Sequence, residues 1–232
     1  MLERYGFAHD GASISAALWT PEKRPSAIVQ ACHGGSGHKE ADAVLAIVDR
    51  LVPRGMAVLA IDGPVHGERS PDGSRDPEAA RRYFRAAWRT GLGRTSMARE
   101  MTAALDHLTA TRGWEGLPVG YIGVSMGTAY GIPYLASDRR VQAAAIGLWS
   151  ANYAASDHLA GFAARIECPI WFTQQWDDEF FDREGTARLF DALGSRDKRL
   201  VAYPGPHRAL EGERLGDAID FLAGRLLSKA RP

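Results

Sequence analysis

Strand-sized apolar runs alternate with amphipathic stretches along most of this 232-residue chain, and a loop signal follows each run. Ser26–Cys32 stops at His33-Gly34-Gly35, and Met56–Ile61 stops at Asp62-Gly63-Pro64. Pro118–Val124, Gln142–Trp149, Pro169–Gln174 and Arg199–Tyr203 complete the set. Between them, Ala41–Val52, Pro77–Thr90, Ser96–Thr111, Met126–Leu135, Thr186–Leu193 and Leu210–Leu227 space their apolar residues as helices do. Ser13–Trp19 alternates polar and apolar residues like a half-exposed strand. Strands apolar on both faces need cover on both faces. The pattern therefore predicts an α/β fold, a mostly parallel central sheet with helices on each side. Ligands bind such sheets at the carboxyl ends of the strands, so the residues just after each run carry the functional question.

Composition removes several function classes. Lys+Arg and Asp+Glu both number 28, which leaves no basic excess for nucleic acid. No apolar run is long enough to span a bilayer, so no membrane partner is expected. Met1-Leu2-Glu3-Arg4 lacks the basic-then-apolar layout of a signal peptide. Cys32 and Cys168 lie in or beside apolar runs and read as reduced, buried thiols, which fits a cytoplasmic protein. The length suits one domain over residues 1–232.

Read in order, the strand ends present His33-Gly34-Gly35-Ser36-Gly37, Gly123-Val124-Ser125-Met126-Gly127, Trp176-Asp177-Asp178-Glu179 and Pro204-Gly205-Pro206-His207. Gly-x-Ser-x-Gly between a strand and a helix fits a tight turn that holds a serine hydroxyl exposed, with glycines where bulk would clash. Ser125 is the candidate nucleophile. A hydroxyl needs a base, and His207, in a loop after the last strand, is the candidate. The other histidines have plainer readings. His33 and His66 brace loops, His107 lies on a helix, and His9, His38 and His158 are surface residues. The base needs a carboxylate to fix its tautomer, and Asp177 and Asp178 both qualify; spacing alone does not separate them. The backbone N–H groups of Gly35 and Met126 are the candidate oxyanion hole. The glycine loop at Gly34–Gly37 is not followed by Gly-Lys-Ser/Thr, which disfavours nucleotide binding.

Together these residues resemble the α/β-hydrolase fold enzymes, over nearly the whole chain. Within that fold the chain is most similar to the dienelactone-hydrolase-like and small bacterial esterase group. Asp178-Glu179-Phe180-Phe181-Asp182 resembles the family's acid loop and points to Asp178. Asp62-Gly63-Pro64-Val65-His66-Gly67-Glu68-Arg69 resembles the loop after the fourth strand. The chain departs from the family pattern at Gln175, where glycine is common, and at Asp182, where proline is common. Dienelactone hydrolases proper use a cysteine nucleophile, so Ser125 favours an ordinary serine esterase.

The resemblance implies a carboxylesterase acting on small-molecule esters through Ser125, Asp178 and His207, with no cofactor and no metal. Peptidase, thioesterase and lactonase chemistry would use the same residues, and a non-catalytic small-molecule binder of this fold is the rival from another class. Monomer and homo-oligomer both remain open. Ser70–Gly93, which holds Arg81, Arg82, Arg85 and Arg89 alongside Tyr83, Phe84 and Trp88, is the candidate partial lid. Trp149, Tyr153, Trp176 and Phe180 are candidate pocket walls.

Overall fold

The apolar runs become strands of one eight-stranded sheet in the computed structural model, which describes residues 1–228. The strands are β1 (Leu2–His9), β2 (Ala12–Trp19), β3 (Ala27–Ala31), β4 (Met56–Ile61), β5 (Val119–Ile122), β6 (Val141–Gly147), β7 (Ile170–Gln175) and β8 (Lys198–Tyr203). Their order across the sheet is β1-β2-β4-β3-β5-β6-β7-β8. β3 through β8 run parallel, and β2 joins β4 antiparallel. The chain leaves β3 toward β4 on one side and returns to β5 on the other. The carboxyl end of β3 is thus the point where the winding reverses and a crevice opens.

The sequence reading did not anticipate β1. It pairs antiparallel with β2 through a turn at Asp10 and Gly11, whose φ values are 48° and 77°. Positive φ at both central residues is the type I′ geometry that matches strand twist, and Asp-Gly was its visible signal. β1 is an edge strand with mostly exposed residues, so it lacks the apolar run that marks the others.

Among the described residues the helices are α1 (Asp42–Leu51), α2 (Pro77–Thr90), α3 (Ser96–Arg112), α4 (Met126–Ser137), α5 (Leu159–Ala163), α6 (Arg183–Asp191) and α7 (Gly212–Leu227). Two cores result. One face of the sheet packs on α1 and α7 through Val44, Ile47, Leu51, Ile219 and Leu222. The other packs on α2 through α6 and includes Phe84, Trp88, Met101, Tyr121, Tyr130 and Trp149. Asp76 caps α2 by accepting from the Ala79 N–H at 2.8 Å, Pro77 opens it, and Gly91 closes it at φ 85°. No helix among the described residues is long and apolar enough to cross a membrane.

Candidate active site

Ser125 stands between β5 and α4 with φ 58° and ψ −122°, a conformation that costs a residue with a Cβ. Its surroundings hold it there. The Ser125 N–H donates to the Gly147 carbonyl at 2.9 Å. Thr128 Oγ1 accepts from the Gly147 N–H at 2.7 Å and donates to the Gly123 carbonyl at 3.1 Å. The turn also lies hard against Cys32 at the end of β3. A Cβ on Gly127 would come within 3.0 Å of the Cys32 carbonyl oxygen, and one on Gly123 within 3.0 Å of the Cys32 Cβ. Burial pushes the Cys32 thiol up to about 12, so it stays protonated beside the serine. Cys168, predicted as buried, is half-buried, with its thiol likewise raised to about 12 by burial.

His207 and Asp178 come from the loops after β8 and β7. His207 Nδ1 lies 2.8 Å from Asp178 Oδ2, while Asp178 Oδ1 accepts from the Phe180 and Phe181 N–H groups at 2.9 and 3.0 Å. The Asp178 side chain is 3% exposed and that of Asp177 62%. Asp177 instead accepts from the Gly205 N–H at 3.2 Å and faces Arg183. The two residues that depart from the family pattern both hold this region together. Gln175 Oε1 accepts from the Arg208 N–H at 2.8 Å, which ties the chain just after His207 to β7. Asp182 caps α6 through the Gly185 N–H at 2.7 Å and also accepts from Ser150 and Asn152. Arg208, Ser150 and Asn152 lie far away in sequence, so no local pattern announced those ties, whereas the Asp182 cap three residues before Gly185 is a local signal.

The glycine loop after β3 is oriented by two buried histidines. His33 Nε2 accepts from the Gly63 N–H at 3.0 Å, which leaves Nδ1 to donate to the Gly34 carbonyl at 2.8 Å. That bond aims the Gly34 carbonyl at the imidazole and turns the N–H of the same peptide, that of Gly35, the opposite way. His66 Nε2 lies 3.1 Å from the Gly35 carbonyl. Burial lowers His33 to about 3 and His66 to about 4, so both act as neutral rings. Behind them Asp62 accepts from the Lys39 ammonium at 2.7 Å and the Lys39 N–H at 2.8 Å. Burial opposes the Asp62 charge, but the bonds from Lys39 outweigh it and hold the carboxyl below its usual range. The sequence reading missed Lys39 entirely. A lysine in a loop reads as solvated, yet its side chain is 2% exposed. His9, His38 and His158, predicted at the surface, are all half-buried. The His158 ring packs against Trp88 and Phe162.

A cavity of about 570 Å³ opens over these loops. Gly35, Ser125 and His207 line it, while the buried Met126 and Asp178 are not among its lining residues. The Met126 N–H belongs to the first turn of α4, where no carbonyl four residues back within the helix can take it. Trp149, Tyr153, Phe180 and Phe181 form apolar walls. Trp176 does not line the cavity; it is half-exposed and stacks on Arg183, whose Cζ is 4.1 Å from the ring centroid. From the Ser70–Gly93 stretch, Pro77, Arg81, Phe84 and Arg85 reach the cavity, whereas Trp88 is buried in the core and Tyr83 turns to Asp72. No cluster of metal-ligating side chains occurs among the described residues.

No protein-family model matches the chain, and no curated protein does. Solved structures do. A carboxyl esterase from Bacillus coagulans, in complex with glycerol, superposes with TM-score 0.74 at 14% identity, covering 97% of this chain and 99% of that one. A 2,6-dihydroxy-pseudo-oxynicotine hydrolase superposes with TM-score 0.78 at 18% identity, over 98% of this chain and 68% of its own. At those identities the likeness is one of fold. A cold-adapted esterase from an Arctic intertidal metagenomic library is nearer: 33% identity and TM-score 0.87, over 97% of this chain and 94% of that one. On that extent of likeness, joined to the sheet and the turn that holds Ser125, the chain belongs to the esterases of the α/β-hydrolase fold.

Proposed function

We propose that this protein is a serine carboxylesterase that cleaves small esters through an acyl-enzyme on Ser125. The observation that carries the reading is the 2.8 Å contact of His207 with a buried Asp178, on a cavity that His207 shares with Ser125. Asp178 orients the ring so that Nε2 is free to take a proton. Ser125 Oγ bonds to the ester carbonyl carbon as its proton passes to His207. The carbon–oxygen bond to the alcohol then breaks, and His207 returns the proton to the departing alcohol. The N–H groups of Gly35 and Met126 hold the oxyanion. Water then adds to the acyl carbon, giving a proton to His207. The acid leaves, and Ser125 Oγ recovers its proton.

We read residues 1–232 as one domain and Ser70–Gly93 as a partial lid, since Phe84 of α2 walls the cavity. The walls and the modest volume favour short acyl groups over lipid chains. The test is intact mass after incubation with a fluorophosphonate. Wild type is expected to gain one adduct and Ser125→Ala none. No adduct on folded wild type would overturn the reading. Rates on ester, thioester, lactone and peptide substrates then assign the bond cleaved.

A further inference from the structure

The solvent face of α2 carries Arg81, Arg82, Arg85 and Arg89, at helical spacings that stack them along one side. Arg81 and Arg85, and likewise Arg85 and Arg89, are four residues apart, where like charges repel. A solvated helix usually intersperses carboxylates at such positions. Here the stripe contains one, Glu78, which pairs with Arg81 at 2.9 Å. Arg82, Arg85 and Arg89 form no ion pair among the described residues. The chain as a whole is neutral, so this is local charge left uncompensated on one element.

That charge adjoins the catalytic cavity. Arg81 and Arg85 line both the cavity holding Ser125 and the shallow depression running along the stripe. The Arg85 guanidinium lies 5.5 Å from the centroid of the Phe180 ring, whose own centroid is 5.3 Å from that of His207. Arg85 is thus held at the rim, one aromatic ring away from the base. The other charged groups on the cavity wall are Arg208, Asp42 and Glu179. Glu179 accepts the His207 N–H at 2.8 Å, and Arg208 lies 3.8 Å from Glu211. Arg85 is the guanidinium on this wall with no carboxylate beside it among the described residues.

We propose that the substrate is a short ester that bears a carboxylate remote from the scissile bond, and that Arg85, assisted by Arg81, binds that carboxylate. This rests on the esterase reading of Ser125. A planar guanidinium presents paired donors that match the two carboxylate oxygens, and the remaining stripe attracts anions toward the cavity mouth.

The experiment compares 4-nitrophenyl butyrate with 4-nitrophenyl hemisuccinate, acyl groups of similar size of which only the second is anionic. A second arm compares phenyl acetate with 4-acetoxybenzoate, which moves the carboxylate to the alcohol side. Wild type is expected to favour the anionic member of at least one pair in kcat/KM. Arg85→Gln is expected to reduce that anionic-to-neutral ratio about tenfold, the loss of one charge-assisted contact, with Arg85→Lys intermediate. Raising the salt to about 0.5 M is expected to narrow the wild-type ratio. Hydrolysis of the neutral esters with no anionic preference in either pair, or a ratio unmoved in Arg85→Gln, overturns the arginine assignment alone. Absence of turnover on every ester overturns the reading of Ser125 beneath it.

Discussion

Asp178 divides its two oxygens between different tasks: Oδ2 meets His207 Nδ1 at 2.8 Å, while Oδ1 takes the Phe180 and Phe181 N–H groups. The second task fixes the first, because two backbone donors leave the carboxylate one orientation. In Asp178→Asn the amide oxygen keeps the backbone donors, so the NH₂ faces His207. The ring must then accept at Nδ1 and carry its proton on Nε2, where it cannot act as base. Turnover is expected to fall about ten-thousandfold with the fold intact, whereas Asp177→Asn, at an exposed pair worth little, changes kcat by less than about threefold. Ester hydrolysis rates on both variants check this, and equal losses would sink it.

Ser125 sits at φ 58° and ψ −122°, where only glycine rests without strain. Ser125→Gly removes the nucleophile and that strain together. Relief of about 1–3 kcal/mol is partly offset by the greater freedom of glycine in the unfolded chain. The variant is expected to lose at least about a thousandfold in kcat and yet melt at a higher temperature than wild type. A lower melting point would show that the hydroxyl's contacts outweigh the backbone strain.

Both loop histidines tie stability to pH. In the unfolded chain they titrate near 6.5, whereas burial lowers His33 to about 3 and His66 to about 4 in the folded one. Between those limits the unfolded state binds protons that the folded state refuses. Their contribution to stability is therefore complete above about pH 6.5 and is lost as the pH falls toward 4. Melting temperature is expected to fall steadily over that window, and less steeply in His66→Gln, whose amide can still donate to the Gly35 carbonyl. A melting temperature constant between pH 7 and 5 would refute the assignment.

The sequence disclosed some of this geometry and hid the rest for physical reasons. β3 through β7 were legible because a strand buried on both faces must be apolar throughout, and β8, mostly exposed at the far edge, was read from the short run Arg199–Tyr203. The turn that holds Ser125 was legible because it demands glycines at fixed offsets. β1 was hidden because an exposed edge strand has no apolar run. Gln175 and Lys39 were hidden because each takes its meaning from a partner distant in sequence, Arg208 and Asp62, as were the bonds that Asp182 accepts from Ser150 and Asn152. The choice between Asp177 and Asp178 rested on resemblance, since both have a phenylalanine three residues on. In the fold Phe181 is buried and Phe180 is 42% exposed, a contrast that no local spacing encodes.

Lys39 offers the sharpest energetic test. Its side chain and that of Asp62 are 2% and 1% exposed, whereas Arg54 and Asp220 form a surface pair at 39% and 68%. Lys39→Met strands a buried carboxylate with only the Lys39 and Glu68 backbone N–H groups as direct partners. The loss is expected to be about 3–5 kcal/mol, against less than about 1 kcal/mol for Arg54→Met. The pH dependence separates charge from packing. Without the ammonium, burial drives the Asp62 carboxyl upward until it takes up a proton, and a neutral acid is far cheaper to bury. The deficit of Lys39→Met relative to wild type is therefore expected to shrink as the pH is lowered from 8 to 5. Urea unfolding of the three proteins at both pH values measures it. A deficit independent of pH would mean that the cost comes from the lost packing of the lysine stem and not from the stranded charge.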